Sequence, residues 1–328
     1  MSTIKTVGII GGAGYTAGEL LRLLINHPQV AIDFVYSTSN AGNPVSDVHD
    51  DLTGQTDLMF SNQINPDVDV VFLCLGHGNS AKFLVENHFS DATKIIDLSN
   101  DFRLRADAVF SGKTFVYGLP EWQKDKIKQA QFIANPGCFA TTIQMALLPL
   151  AQHGKIQSDV HINATTGSTG AGVSPSSTTH FSWRDNNFSV YKAFTHQHLG
   201  EITESLTSLQ LDLDGELLFI PNRGNFSRGI FASVYLDYAG DLESAYQIFE
   251  DFYKDAVFTK ISHREIHLKQ VVNTNNCILH LHKHKNKLLI TSITDNLLKG
   301  ASGQAVQNMN LMFGFDEATG LRLKGSSF

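Results

Sequence analysis

Thr6-Val7-Gly8-Ile9-Ile10-Gly11-Gly12-Ala13-Gly14-Tyr15-Thr16-Ala17-Gly18-Glu19-Leu20-Leu21-Arg22-Leu23-Leu24 is the stretch that decides the fold. Thr6–Ile10 is a short apolar run of the sort that forms a strand buried on both faces. A glycine-rich turn through Gly18 follows, and Glu19–Leu24 has helical spacing. Gly8, Gly11 and Gly14 give G-x-x-G-x-x-G, a variant of the dinucleotide fingerprint. Glycine lets the backbone turn sharply and approach a pyrophosphate, whose charge then meets the free amides of the helix.

Working outward, further strand runs are expected at Ala31–Tyr36, Val68–Cys74, Lys94–Leu98 and Gln131–Ala134, with a helix at Ser80–Asn87. Strands alternating with helices predict a Rossmann-like, mostly parallel sheet over residues 1–138. After Thr142 the texture changes. A helix is expected at Ile143–Leu150 and a strand at Val160–Thr166, before a Gly/Ser/Thr-rich loop through Thr179. Longer strands are expected at Glu216–Ile220, Arg228–Tyr235, Ile266–Val272, Cys277–His284 and Leu288–Asp295, with a short one at Ala256–Lys260. Helices are expected at Glu201–Leu209 and Leu242–Tyr253. This predicts an α+β domain of mixed or antiparallel sheet over 139–300, which the family resemblance below makes catalytic and oligomerising. A closing helix within 301–328 is expected to return to the first domain.

Bulk properties narrow the function. The chain has 328 residues, enough for two domains, and 17% charged residues place it with ordinary folded proteins rather than disordered ones. A net charge of −7 gives no general attraction to nucleic acid or anionic lipid. No stretch is long and apolar enough for a membrane helix, and the short segment before the first strand leaves no room for a signal peptide. Cys74, Cys138 and Cys277 are widely spaced and imply neither a disulfide framework nor a metal knuckle. A cytoplasmic protein is expected. His280, His282 and His284 alternate on one strand, but lysines interleave with them and no acid or cysteine partners them, so a polar strand face is read there and no metal site.

The end of the second strand decides the cofactor. An NAD site usually places Asp or Glu there for the ribose diol. Here it reads Tyr36-Ser37-Thr38-Ser39-Asn40, with Asp33 too early in the strand. Hydroxyls without a carboxylate suit a 2′-phosphate, so the cofactor expected is NADP(H). It is held by Gly11, Gly12, Ala13, Gly14, Tyr15 and Thr16 at the pyrophosphate, by Ser37, Thr38 and Ser39 at the ribose, and by Gly76 after the third strand.

Cys138 is the candidate nucleophile. It follows Asn135-Pro136-Gly137 and precedes a helix expected to start near Thr141, so its sulfur should sit near amides that stabilise a thiolate and a developing oxyanion. Thr195-His196-Gln197-His198-Leu199-Gly200-Glu201-Ile202 carries two histidines, either of which would serve as acid/base beside Cys138, with His196 favoured. Arg103 follows a strand by a short loop, where an arginine fork suits phosphate or carboxylate.

Several runs together give the chain a resemblance: Gly11-Gly12-Ala13-Gly14-Tyr15-Thr16, Leu98-Ser99-Asn100-Asp101-Phe102-Arg103-Leu104, Tyr117-Gly118-Leu119-Pro120-Glu121, Asn135-Pro136-Gly137-Cys138 and the His196 segment. It resembles the N-acetyl-gamma-glutamyl-phosphate reductases, NADP-dependent acyl-phosphate reductases of arginine biosynthesis related to aspartate-semialdehyde dehydrogenases. The resemblance implies attack of Cys138 on an acyl phosphate, reduction of the thioester with NADPH, and a homodimer or homotetramer. It implies substrate contacts from Arg103, Asn135, Tyr191, Lys192, Glu201 and Arg228. It also implies cofactor contacts from Ser168, Gly170 and Gly172 in the glycine-rich loop, and from Asn296.

Two segments depart from the family pattern. Gln197 and Gly200 stand in a His-Arg-His-x-Pro-Glu-Ile-like segment, and Pro221-Asn222-Arg223-Gly224-Asn225-Phe226-Ser227-Arg228-Gly229-Ile230 replaces a Pro-His-Leu-x-Pro-x-x-Arg-Gly-Ile-like one. These departures leave an N-succinyl or other acyl-phosphate substrate as an alternative to the N-acetyl one. Two other classes stay open: a thiol-dependent aldehyde dehydrogenase, and a nonenzymatic NADP-binding sensor.

Overall fold

The computed structural model describes residues 4–327; the first three residues and the last, which end the expected domain ranges, lie outside them. The chain divides into two compact units. Unit 1 comprises the residues through Pro136 together with Ala301–Arg322, and unit 2 comprises Gly137–Gly300 and the tail from Leu323. The first boundary falls two residues before the expected one because Gly137 and Cys138 belong to the helix that opens unit 2.

Unit 1 is built on eight strands: β1 (Lys5–Ile10), β2 (Val30–Tyr36), β3 (Phe60–Ser61), β4 (Val70–Leu73), β5 (Lys94–Asp97), β6 (Val109–Phe110), β7 (Lys113–Tyr117) and β8 (Phe132–Ala134). Their order is β3-β2-β1-β4-β5-β8-β7-β6, parallel except for the β6–β7 hairpin. The crossovers are α1 (Tyr15–Leu24), α2 (Ser80–Glu86) and α3 (Pro120–Gln129). The strand order reverses at β1, so the crevice for a ligand lies beyond the carboxyl ends of β1 and β4.

Two glycines of the opening stretch have a different role from the one expected. A methyl group at Gly8 would lie 2.2 Å from the Phe34 ring, so this glycine serves β1–β2 packing rather than a phosphate. Gly18 lies inside α1, which begins at Tyr15, and a methyl group there would lie 2.6 Å from His49 Nδ1.

Unit 2 begins with α4 (Cys138–Gln152) and continues through β9 (Val160–Thr166), α5 (Phe181–Arg184), β10 (Ser189–Val190), α6 (His198–Leu209), β11 (Leu217–Arg223), β12 (Ile230–Asp237), α7 (Leu242–Tyr253), β13 (Thr259–Ser262), β14 (Cys277–His284) and β15 (Lys287–Thr294). The mixed sheet has the order β10-β11-β9-β12-β15-β14-β13. One face is covered by helices, and α4 is its core: every residue from Phe139 to Ala151 is buried. Pro149 within α4 has no N–H for the Met145 carbonyl one turn back. The Tyr253 hydroxyl of α7 donates to that carbonyl at 2.7 Å instead.

The run Ile266–Val272 is not a strand. It holds a single 3₁₀ turn at Leu268–Gln270, and Ile266 and Val271 pack with Ile293, Phe231 and Ile278 as a cover on the other face of the sheet. The short strand is displaced from Ala256–Lys260 to β13, and α6 starts at His198, three residues before Glu201. After β15 the chain passes through a π-turn at Leu298–Ser302 into α8 (Gly303–Phe313) of unit 1. There Asn308 Nδ2 donates to Gly118 O at 2.9 Å and to Asn135 Oδ1 at 3.1 Å.

Removing the Tyr253 hydroxyl leaves a buried carbonyl without its donor. Tyr253→Phe is expected to lower unfolding stability by about 1–3 kcal/mol, read from urea unfolding midpoints. An unchanged midpoint would show that α4 does not need this substitute for the missing amide.

Candidate active site

Cys138 is the first residue of α4, with Gly137 as its N-cap and the Gly137 carbonyl accepting from Thr141 N–H at 2.8 Å. The helix therefore starts three residues before the expected Thr141, and its first amides surround the cysteine itself. Space around it is tight. A methyl group at Gly137 would lie 2.3 Å from His198 Nε2, and one at Gly300 would lie 2.8 Å from Cys138 Cβ. The other cysteines differ: burial pushes the Cys74 thiol up to about 12, and Cys277 is buried in β14.

His196 and His198 are 5% and 6% exposed, with ring centroids 4.6 Å apart and both rings edge-on to Phe139, the residue after Cys138. His196 Nδ1 accepts the backbone N–H of His198 at 3.2 Å. That fixes the neutral tautomer, with the proton on Nε2. Burial, followed by the Lys192 ammonium, lowers His196 to about 4, so it is neutral at pH 7. His198 Nε2 lies against Gly137 and 3.9 Å from Glu201 Oε1, while Glu201 Oε2 accepts Gly137 N–H at 2.9 Å. Glu201 thus braces the backbone that presents Cys138.

The expected substrate contacts separate. Tyr191 stands 5.8 Å from the His196 ring and is pushed up to about 12 by burial and then by the charge on Cys138, with Arg223 opposing. Lys192 is exposed, with φ 46°, and donates to Gln197 Oε1 at 3.1 Å. In unit 1, Arg103 is 7% exposed and donates to Asn135 O at 2.8 Å and Leu98 O at 2.9 Å. Asn135 in turn donates to Ala301 O at 3.1 Å. These two hold the end of β8 that leads into the cysteine turn. Arg228 forms a two-pronged pair with Asp295, both contacts 3.1 Å, and Asp295 is fully buried. Asn222, where the family pattern has histidine, points to the outer face of the sheet and donates to Asn163 Oδ1 at 2.8 Å.

The glycine-rich loop is an ordered turn. Ser168 N–H donates to Phe226 O at 2.8 Å, Gly170 N–H to Gly167 O at 3.2 Å, and Gly172 takes φ 82°. Asn296, expected at the cofactor, accepts Gly229 N–H at 2.7 Å and donates to Thr169 Oγ1 at 3.0 Å, so its amide holds this loop.

The cofactor turn of unit 1 is shaped for close approach. Gly11 has φ 78°, and a methyl group on it would lie 2.7 Å from Cys74 O; one on Gly12 would lie 2.5 Å from Val35 Cγ1. A methyl on Gly14 would meet only Gly11 O, at 3.8 Å, and would enter the open side of the turn, where the first amides of α1 point. Ala13 lies between them, Tyr15 is 40% exposed, and the Thr16 carbonyl is held by Ser302 Oγ at 2.8 Å. His49, which the sequence reading missed, bonds Gly12 O through Nε2 at 2.7 Å. At the end of β2, Asn40 Nδ2 donates to Ser37 Oγ and Ser39 Oγ, both at 3.1 Å, while Thr38 is exposed. Gly76 is exposed beyond β4. The open glycine cradle, the helix amides and a hydroxyl-lined strand end fit a dinucleotide with a 2′-phosphate.

Comparison with known proteins agrees with this geometry. The family described as "Semialdehyde dehydrogenase, NAD binding domain" matches residues 6–130, and "Semialdehyde dehydrogenase, dimerisation domain" matches 138–296. The N-acetyl-gamma-glutamyl-phosphate reductase of Flavobacterium johnsoniae is 65% identical, with 98% of this chain and 99% of the relative covered. That of Christiangramia forsetii is 61% identical at the same coverage. The chain belongs to the N-acetyl-gamma-glutamyl-phosphate reductase family. Among solved structures, aspartate semialdehyde dehydrogenase II of Vibrio cholerae, complexed with ASA, superposes with a TM-score of 0.73 at 15% identity, covering 95% of this chain and 98% of that one. Aspartate semialdehyde dehydrogenase of Candida albicans, with NADP, gives 0.68 at 15% identity, covering 94% and 98%. At that identity the likeness is one of fold.

Two outcomes follow from this geometry. The unfolded chain takes up a proton at histidine near pH 6.5, whereas folded His196 does so only near 4. The stability that neutral His196 contributes is therefore complete above 6.5 and is lost as pH falls toward 4, about 3 kcal/mol in all. Urea midpoints between pH 7 and 4 are expected to fall less steeply in His196→Gln than in the parent; equal slopes would contradict the assignment. Gly300→Ala is expected to lower kcat by about 10²-fold with the circular-dichroism spectrum unchanged, because displacing the nucleophile by about an ångström costs that much. Unchanged kcat would show that the contact is not needed.

Proposed function

We infer that the protein reduces N-acetyl-L-glutamyl 5-phosphate with NADPH to N-acetyl-L-glutamate 5-semialdehyde and phosphate, the acyl-phosphate reduction of arginine biosynthesis. The observation that carries this reading is Cys138 at the start of a buried helix beside two buried histidines, in a chain that matches these reductases over nearly its whole length.

Cys138 attacks the acyl carbon. The C–S bond forms, the bond from carbon to the phosphate oxygen breaks, and phosphate leaves with the electron pair. NADPH, when bound, supplies the hydride that turns the thioester into a hemithioacetal. The carbonyl oxygen collects charge at both stages, and the free amides of the first turn of α4 are the donors aimed at it. That alkoxide then collapses: its electron pair re-forms the carbonyl as the C–S bond breaks, which releases the aldehyde and returns Cys138 as the thiolate.

Tautomers support a division of labour between the histidines. The Nδ1 of His196 is already accepting, so His196 offers an Nε2–H donor to the oxyanion. His198 is then the acceptor for the thiol proton, a change from the preference for His196 drawn from sequence. Tyr191 and exposed Lys192 stay on the substrate side. Arg103, Asn135, Glu201 and Arg228 act by holding backbone and neighbouring side chains.

In unit 1 the cofactor is held by the backbone from Gly11 to Thr16, by the hydroxyls of Ser37, Thr38 and Ser39, and by the backbone at Gly76. The protein works in the cytoplasm as a homo-oligomer. The half-exposed Leu218, Ile220, Phe231 and Leu289, with Tyr235 at 40% exposure, lie on the outer face of the unit 2 sheet and support its pairing with a second copy.

The test is phosphate-dependent reduction of NADP with N-acetyl-glutamate semialdehyde, with the N-succinyl compound in parallel. Activity on the acetyl compound that disappears in Cys138→Ala is expected. Activity on the succinyl compound alone would move the substrate, and activity on neither would refute the reading.

A further inference from the structure

We propose that Arg184 and Arg223 form a two-guanidinium subsite for an oxyanion of the substrate, beside Tyr191. The proposal rests on the reductase reading for the identity of the substrate, and on the following geometry for the existence of the site.

Arg223 ends β11, whose alternate residues Phe219, Pro221 and Arg223 share one face. Phe219 on that face lies 5.2 Å from the Phe139 ring and 5.5 Å from His196, so the face is that of the catalytic groups. The Arg223 guanidinium stacks 4.7 Å over the Tyr191 ring. Arg184 ends α5 and is only 7% exposed. Its Nη2 donates to Asn187 O at 2.8 Å, and its guanidinium lies 5.7 Å from the Trp183 ring. In the amide orientation that satisfies both of its groups, Asn225 ties the two segments together, donating to Arg184 O at 3.2 Å and accepting from Asn186 N–H at 3.0 Å.

Neither guanidinium meets a carboxylate among the described residues, and the Nε of each is out of solvent without a hydrogen-bond partner. The two cations are close enough that Arg223, after burial, disfavours the charge on Arg184. Two like charges brought together with no counter-ion, one of them buried, cost stability unless an anion joins them. The N–H groups that Asn187 O and the Tyr191 hydroxyl leave over are donors that a carboxylate or phosphoryl group accepts from. Arg103 and Arg228 both use their forks on protein groups. Arg223 also stands where the family pattern carries leucine. Arg184 belongs to no motif, and the departure at Arg223 is the one sign of the site that the sequence carries.

Three substrate groups share this chemistry: the phosphate, the α-carboxylate and, on an N-succinyl substrate, the carboxylate of the cap. In Arg223→Leu, at least one KM among those for inorganic phosphate, N-acetyl-glutamate semialdehyde and N-succinyl-glutamate semialdehyde is expected to rise about tenfold or more, a loss of about 1.4 kcal/mol. The KM for NADP should stay unchanged, and Arg223→Lys should recover part of the loss. A rise for phosphate alone assigns the leaving group, a rise for both semialdehydes the α-carboxylate, and a rise for the succinyl compound alone the cap.

A second readout does not need turnover. Trp183 fluorescence in a Trp122→Phe background should respond saturably to inorganic phosphate, succinate or N-acetyl-glutamate, and the response should vanish in Arg223→Leu. A parent enzyme inactive on both semialdehydes would refute the functional reading, while the fluorescence titration would still decide the subsite. Unchanged KM values in Arg223→Leu, or no saturable response to any of the three anions, would overturn the proposal.

Discussion

No side chain fits at Gly137 or at Gly300, and the rest of unit 2 depends on that lack of room. His198 presses on one glycine, Cys138 Cβ on the other, and Glu201 accepts the Gly137 amide at 2.9 Å. Cys138 is thus clamped at the first position of a fifteen-residue helix whose body is buried throughout. A helix so enclosed cannot shift to suit a substrate. Its terminal amides are preorganised for the charge that develops on the acyl oxygen, which is where an enzyme gains most from a dry, fixed set of donors.

The polar residues expected to touch substrate or cofactor, and the two arginines that were not, fall into two groups. Arg103, Asn135, Arg228 and Asn296 have the chemistry of ligand contacts, yet each is bonded to protein carbonyls, carboxylates or amides that order a loop or strand end. Arg184 and Arg223 form the other group, two cations that meet no carboxylate among the described residues. The division follows from the cost of burial: an arginine whose charge is met by a carboxylate or by several carbonyls is a structural element, and one whose charge meets no carboxylate gains from an anionic ligand.

Much of the architecture was legible because it rests on local pattern. Alternating strands and helices identified the parallel sheet, and the glycine turn stands at the switch point of that sheet. The failures share a cause, which is long-range packing. Gly8 reads as a fingerprint glycine and Gly18 as a turn residue, but what demands them is the Phe34 ring and His49. Ile266–Val272 has the composition of a strand and instead caps the outer face of the sheet around Ile293. Thr141-Thr142-Ile143 and Pro149 made the start and end of α4 hard to place, since their propensities oppose a helix; Tyr253 meets the Met145 carbonyl that Pro149 leaves over, and Thr142 bonds Thr294 Oγ1 at 2.6 Å. The pairing of Arg184 with Arg223 exists only once α5 and β11 come together in the fold.

The most direct measurement is peptide mass analysis of the protein quenched after a single turnover with NADP and N-acetyl-glutamate semialdehyde in the absence of phosphate. The account predicts a burst of NADPH matching the enzyme concentration and the acyl group carried on the peptide containing Cys138, released when phosphate is added. A burst with the acyl group on another residue, or steady turnover that leaves Cys138 unmodified, would contradict it.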